Sequence, residues 1–200
     1  KTILSVGCKD NNINNIPISI NKKIEIIRSM IKNFPNEKNL HIRYLPTPFK
    51  KTWNNIDKLD TINVNSGLTI YTEKTIVVIL FREEESFKVL IHELIHALEL
   101  HCVHNGTIIN ELNDDDMDES IVETWAVILN LNRINNKHFS IPQNEEEINY
   151  LFKTELFKNE KEFCLLQSAK ILREHECDNT GLECSKPIPS KPAIYSYYIL

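Results

Sequence analysis

Residues 76–104 constrain the fold more than any other part of the chain. Ile76–Phe81 (IVVILF) is the longest apolar run. Six residues is strand length, far short of the roughly 18 that a membrane helix needs. Its β-branched make-up predicts a strand buried on both faces. Glu83, Glu84, Glu85 and Ser86 follow, residue types that suit a helix N-terminus. The stretch His92–His104 then reads HELIHALELHCVH. Four histidines and two glutamates are more ionisable groups than an ordinary core helix carries, because each buried one needs a partner. The expected helix runs from Ser86 to His101 or His104, with Asn105-Gly106 as its stop.

The remaining pattern is helical at both ends. Residues 1–18 are Asn-rich, contain Pro17, and are expected to be extended or loosely ordered. Ile20, Ile24, Ile27 and Ile31 recur at spacings of three and four, and Pro35 closes that helix. His41–Leu45 reads as a short strand, residues 46–66 as a long loop, and Gly67–Tyr71 with Thr75–Phe81 as a hairpin. Asn113–Asp116 can cap a helix over about Met117–Ile134. Two more helices are expected near Gln143–Phe157 and Glu160–His175. The tail from Cys177 holds Pro187, Pro189 and Pro192 and ends AIYSYYIL, a strand or clamp. The whole is an α+β chain, with a small N-terminal sheet and the histidine helix followed by a mostly helical C-terminal half. At 200 residues it is expected to be one domain, 1–200.

The formal net charge of −5 argues against nucleic acid or an anionic membrane as partner. The N-terminus KTILSVGCKD lacks the apolar region of a signal peptide. Five cysteines without a tight C-x-x-C pair favour free thiols in a reducing, cytoplasmic compartment, with a Cys177–Cys184 bridge the less favoured alternative.

His92 and His96 are four apart, so a helix puts both imidazoles on one face, one turn from each other. Two imidazoles so placed can fill two corners of a zinc tetrahedron. Glu93 lies beside that position, where a carboxylate can deprotonate a water on the metal. This is the H-E-x-x-H pattern. A third ligand is required. His101 turns away from the pair, and His104 lies three turns from His92. The better source is the next helix, Asp118-Glu119-Ser120-Ile121-Val122-Glu123-Thr124-Trp125-Ala126, where Glu119 and Glu123 share a face apart from an apolar stripe of Ile121, Trp125, Ile128 and Leu129.

H-E-L-I-H on one helix and D-E-S-I-V-E-T-W-A on the next resemble a gluzincin-type zinc metallopeptidase, over about Ser86–Asn130. The resemblance implies a zincin-like fold, one Zn2+ ion and a downstream glutamate ligand. Asp118-Glu119-Ser120 with Glu123 fits the thermolysin-like arrangement, in which Glu119 ligates and Glu123 orients a ligating histidine. Glu123-Thr124-Trp125-Ala126 fits Glu-x-x-Ala, which makes Glu123 the alternative ligand. The choice here is Glu119 for the metal and Glu123 behind His92 or His96.

The implied activity is hydrolysis of peptide bonds, with Glu93 taking the proton of a zinc-bound water and returning it to the leaving amine. The alternative is a catalytically inactive zinc-binding or interaction protein on the same scaffold. An oxyanion donor is also expected. Among Tyr195, Tyr197, Tyr198 and His175, the choice falls on Tyr198 or Tyr197, which requires the tail 177–200 to pack near the site. The expected partner is a polypeptide substrate added as a strand to the sheet edge, with no nucleic acid and no membrane.

Overall fold

The computed structural model of the chain describes residues 1–6, 18–34, 38–51, 65–100, 114–178 and 183–186. These residues form four strands, β1 (Thr2–Val6), β2 (Asn39–Tyr44), β3 (Gly67–Tyr71) and β4 (Thr75–Leu80), and five helices. The helices are α1 (Ile18–Asn33), α2 (Ser86–Ala97), α3 (Asp114–Asn136), α4 (Glu145–Phe152) and α5 (Glu155–Glu174). The architecture is mixed α and β: a small sheet comes first and helices follow.

The sheet order is β1-β2-β4-β3. β1, β2 and β4 run parallel, while β3 returns antiparallel along β4 as the hairpin. β1 departs only in part from the sequence reading, which expects residues 1–18 extended or loosely ordered: Thr2–Val6 are extended, and they join the sheet as a strand. Residues 2–6 pair residue by residue with Leu40–Tyr44, because TILSV is a β-branched run that the Asn-rich stretch after it disguises. β4 departs too. Ile76, Val78 and Leu80 are buried, while Thr75, Val77 and Ile79 are only partly covered, so one face of this strand is closed and not both.

The inward residues of the sheet share one core with Ile26, Ile27 and Met30 of α1 and with Leu90, Ile91, Leu94 and Ile95 of α2. Val122, Ala126 and Leu129 of α3 close that core from the other side of α2. Trp125 and Ile121 do not join it: Trp125 is exposed and Ile121 half-buried. A second, smaller cluster of Ile128, Leu131 and Leu151 ties α3 to α4 and α5. The expected single helix over 143–157 is broken at Lys153, where the Thr154 side chain starts α5 by accepting from the Phe157 N–H.

α2 ends earlier than expected. The Glu99 N–H donates to the His96 carbonyl and the Leu100 N–H to the Ile95 carbonyl, with Glu99 at φ 54°. That is a Schellman turn built without glycine. Cys177 and Cys184 form a disulfide, against the expectation of free thiols, while Cys164 is a free thiol on α5. No described helix is long and apolar enough to cross a membrane.

Candidate metal centre

α2 is almost wholly buried, and its two histidines line a cavity between β3 and α3. His92 Nε2 and His96 Nε2 lie 3.2 Å apart. Glu119 Oε2, from α3, is 3.3 Å from the first and 3.4 Å from the second. A tetrahedral ion with bonds of about 2.0–2.1 Å holds its ligands about 3.3–3.4 Å apart. The three donor atoms therefore form a triangle the size of one tetrahedral face. Glu119 Oε2 is shielded from solvent and makes no hydrogen bond among the described residues. Such a buried acceptor is costly unless a cation sits on it. The three residues can hold a metal ion.

Glu123, one turn after Glu119, is placed differently. Its Oε2 lies 3.0 Å from His92 Nδ1, and its Oε1 accepts from Lys88 Nζ, one turn before His92. With Glu123 accepting from Nδ1–H, Nε2 carries the lone pair that faces His96 and Glu119. Burial raises the affinity of the Glu123 carboxyl for a proton, but Lys88 and His92 outweigh it and hold the pKa well below the usual carboxylate range. Burial likewise works against ionised Glu119, and the adjacent imidazoles of His92 and His96 reverse it downward. Burial would lower the His92 pKa, yet Glu119 and Glu123 raise it. The field at this point favours a positive charge, whether a proton or an ion occupies it.

Glu93 points toward β3. Its carboxylate Oε2 accepts from Thr69 Oγ1 at 2.6 Å. Burial pushes the Glu93 pKa up, with His92, Thr69 and His96 opposing. Three alternate residues of β3 meet successive turns of α2, since side chains two apart share a strand face. Gly67 lies against Val89 and Glu93: a Cβ there would stand 2.6 Å from Glu93 Oε1 and 2.7 Å from Val89 Cγ1. Thr69 binds Glu93, and Tyr71 Oη donates to the His96 carbonyl at 2.7 Å. Leu68 and Ile70, between them, point outward and are exposed. Together β3, α2 and α3 enclose a cavity of about 310 Å³ that Gly67, Thr69, His92, Glu93, His96 and Glu119 line.

The structure thus brings His92, His96 and Glu119 together, sets Glu93 beside them, and places Glu123 behind His92. His175 ends α5 and does not line this cavity. His101, His104, Tyr195, Tyr197 and Tyr198 lie outside the described residues, as does the tail from 187 on. The sequence reading missed Thr69, Gly67 and Lys88. Alternation in Gly67-Leu68-Thr69-Ile70-Tyr71 was the available signal for the first two, and the i, i+4 spacing of Lys88 and His92 for the third. Comparison with family models, with curated proteins and with solved structures gives no match for this chain.

Proposed function

We propose that the chain is a zinc-dependent peptidase of the zincin type. The observation that carries this reading is the triangle of His92 Nε2, His96 Nε2 and Glu119 Oε2 with a buried carboxylate, Glu93, beside it on the substrate side. A purely structural site would have no use for a fourth ionisable group that ligates nothing. Zinc, when bound by His92, His96 and Glu119, would supply a Lewis acid that acidifies water and polarises a carbonyl.

The chain's own residues then divide the work. Glu93, its pKa raised by burial, takes a proton from the attacking water and returns it to the departing amine. Thr69 fixes the rotamer of that carboxylate. Glu123 and Lys88 hold the His92 ring in orientation and tautomer. β3 is the edge of the sheet and borders the cavity, so an extended polypeptide can add to it as a further strand, with its scissile bond carried past Glu93.

The test is metal analysis and cleavage with wild type and Glu93→Gln. Both proteins, purified without chelator at neutral pH, are expected to hold one zinc per chain, and only wild type is expected to cleave a peptide library. Zinc in fewer than about a tenth of the molecules, or undiminished cleavage by Glu93→Gln, would overturn the reading.

A further inference from the structure

A second cavity, of about 500 Å³, opens at the N-terminal end of α2 and is bordered by α1, α3 and α5. The volume is that of a small-molecule site. At its base lies Lys23 of α1, only 2% exposed. Its ammonium sits 4.5 Å from the centre of the Tyr44 ring and 4.0 Å from that of Phe87. The guanidinium of Arg133, from α3, stands 4.3 Å from the same Phe87 ring. The two cations are therefore no more than about 8 Å apart. Ring faces offset part of the cost of burying an ammonium, but they do not neutralise its charge or that of the guanidinium.

No carboxylate among the described residues lies within ion-pair distance of Lys23. The acids of the cavity are otherwise engaged or distant. Glu85 is paired with Lys51 at 2.7 Å and lies 4.0 Å from Lys88. Burial raises the Glu160 pKa, and among the described residues Glu160 forms no ion pair with Lys23 or Arg133. Glu83 attracts Lys23 from beyond contact. Arg133 uses Nε and one Nη2 hydrogen on Asn130 Oδ1, which leaves Nη1 without a partner among the described residues. Val127, Leu131 and Phe163 add apolar wall above the cations.

We infer that this cavity binds a small organic anion, with its carboxylate or phosphate group between Lys23 and Arg133 and its apolar body against Phe163, Val127 and Leu131. A buried lysine meets such a group as a point charge and an arginine as a fork. The cavity shares only Lys88 with the metal-site cavity, so the ligand is a separate one from the peptide substrate.

The test is calorimetric titration of the whole chain with benzoate and with phenyl phosphate, which separates the two acid groups. At least one probe is expected to bind with Kd of about 1 mM or tighter. Lys23→Met and Arg133→Gln are each expected to weaken it about ten- to a hundredfold, the loss typical of a charged hydrogen-bond partner. Arg133→Gln, which leaves the core intact, carries the test if Lys23→Met does not fold. Glu93→Gln is expected to bind as wild type does, so the site stands or falls apart from the peptidase reading. No binding of either probe up to about 20 mM, or equal binding by wild type and the folded variants, overturns the proposal.

Discussion

Glu119 and Glu123, one turn apart on α3, contact opposite nitrogens of one imidazole. Glu119 Oε2 stands 3.3 Å from His92 Nε2, and Glu123 Oε2 stands 3.0 Å from His92 Nδ1. The first carboxylate shares its position with His96, and the second does not. The two acids therefore differ in what they offer an ion, although the sequence presents them as near equivalents.

The difference predicts unequal losses. Glu119→Gln exchanges an anionic donor for a neutral amide, and zinc affinity is expected to fall by more than about a hundredfold. Glu123→Gln leaves all three donors in place but loosens His92, and is expected to cost about ten- to a hundredfold. Zinc competition against a chromogenic chelator measures both. Equal losses, or a larger loss for Glu123→Gln, would make Glu123 the ligand.

Thr69 is the only described side chain that donates a hydrogen bond to the Glu93 carboxylate. Thr69→Val keeps the shape of the side chain and removes the donor. A hydrogen bond to the charged form lowers a carboxyl pKa, so its loss raises the Glu93 pKa further. A base must be ionised to act, and the acid limb of the kcat/KM profile is therefore expected to move to higher pH. At neutral pH kcat is expected to fall about tenfold, with zinc content unchanged. A pH profile identical to wild type would show that Thr69 only fills space.

How much of this was legible beforehand follows from the range of each interaction. His92, Glu93 and His96 are written within one helical turn, so their juxtaposition is local. The β3–β4 hairpin and the helices of the second half show in periodicity for the same reason. The roles of Thr69 and Gly67 depend on how β3 lies across α2, a tertiary contact that no local pattern specifies. β1 exists because β2 accepts it, and TILSV is too short to announce that alone. The end of α2 was illegible because Glu99 takes a left-handed conformation that the sequence usually marks with glycine. Trp125 fits the apolar stripe by type, yet the face that α2 covers is set by Val122 and Ala126.

Gly67 is the one described glycine whose added Cβ meets close neighbours: Glu93 Oε1 at 2.6 Å and Val89 Cγ1 at 2.7 Å. Gly67→Ala must push β3 from α2 or turn the Glu93 carboxylate away from Thr69. Overpacking of this kind costs about 1–3 kcal/mol, measurable by urea denaturation. Because the strain falls on Glu93 and not on His92, His96 or Glu119, cleavage is expected to drop while zinc is retained. A variant as stable and as active as wild type would mean that β3 yields freely and does not position the base.

Lys23 gives the pH prediction. Burial, with Arg133 adding to it and Glu83 opposing, lowers its pKa from 10.5 to about 8. Between those values the unfolded chain binds more protons at this residue than the folded one. Stability contributed by Lys23 therefore rises with pH from about 8 to 10.5, and its burial costs most at neutral pH and below. Tyr44, Glu83, Glu85, Lys88, Arg133 and Glu160 also line the cavity. They are common to wild type and Lys23→Met and cancel in a paired comparison. Lys23→Met removes the titration but keeps a long apolar stem under Tyr44 and Phe87. The variant is expected to be favoured over wild type most at pH 7, with that advantage shrinking as pH rises through the window. Paired urea denaturations at pH 7, 8, 9 and 10 measure the difference directly. A difference constant across that range would show that Lys23 keeps its ordinary pKa when folded, and that its charge is neutralised by a partner already in the chain.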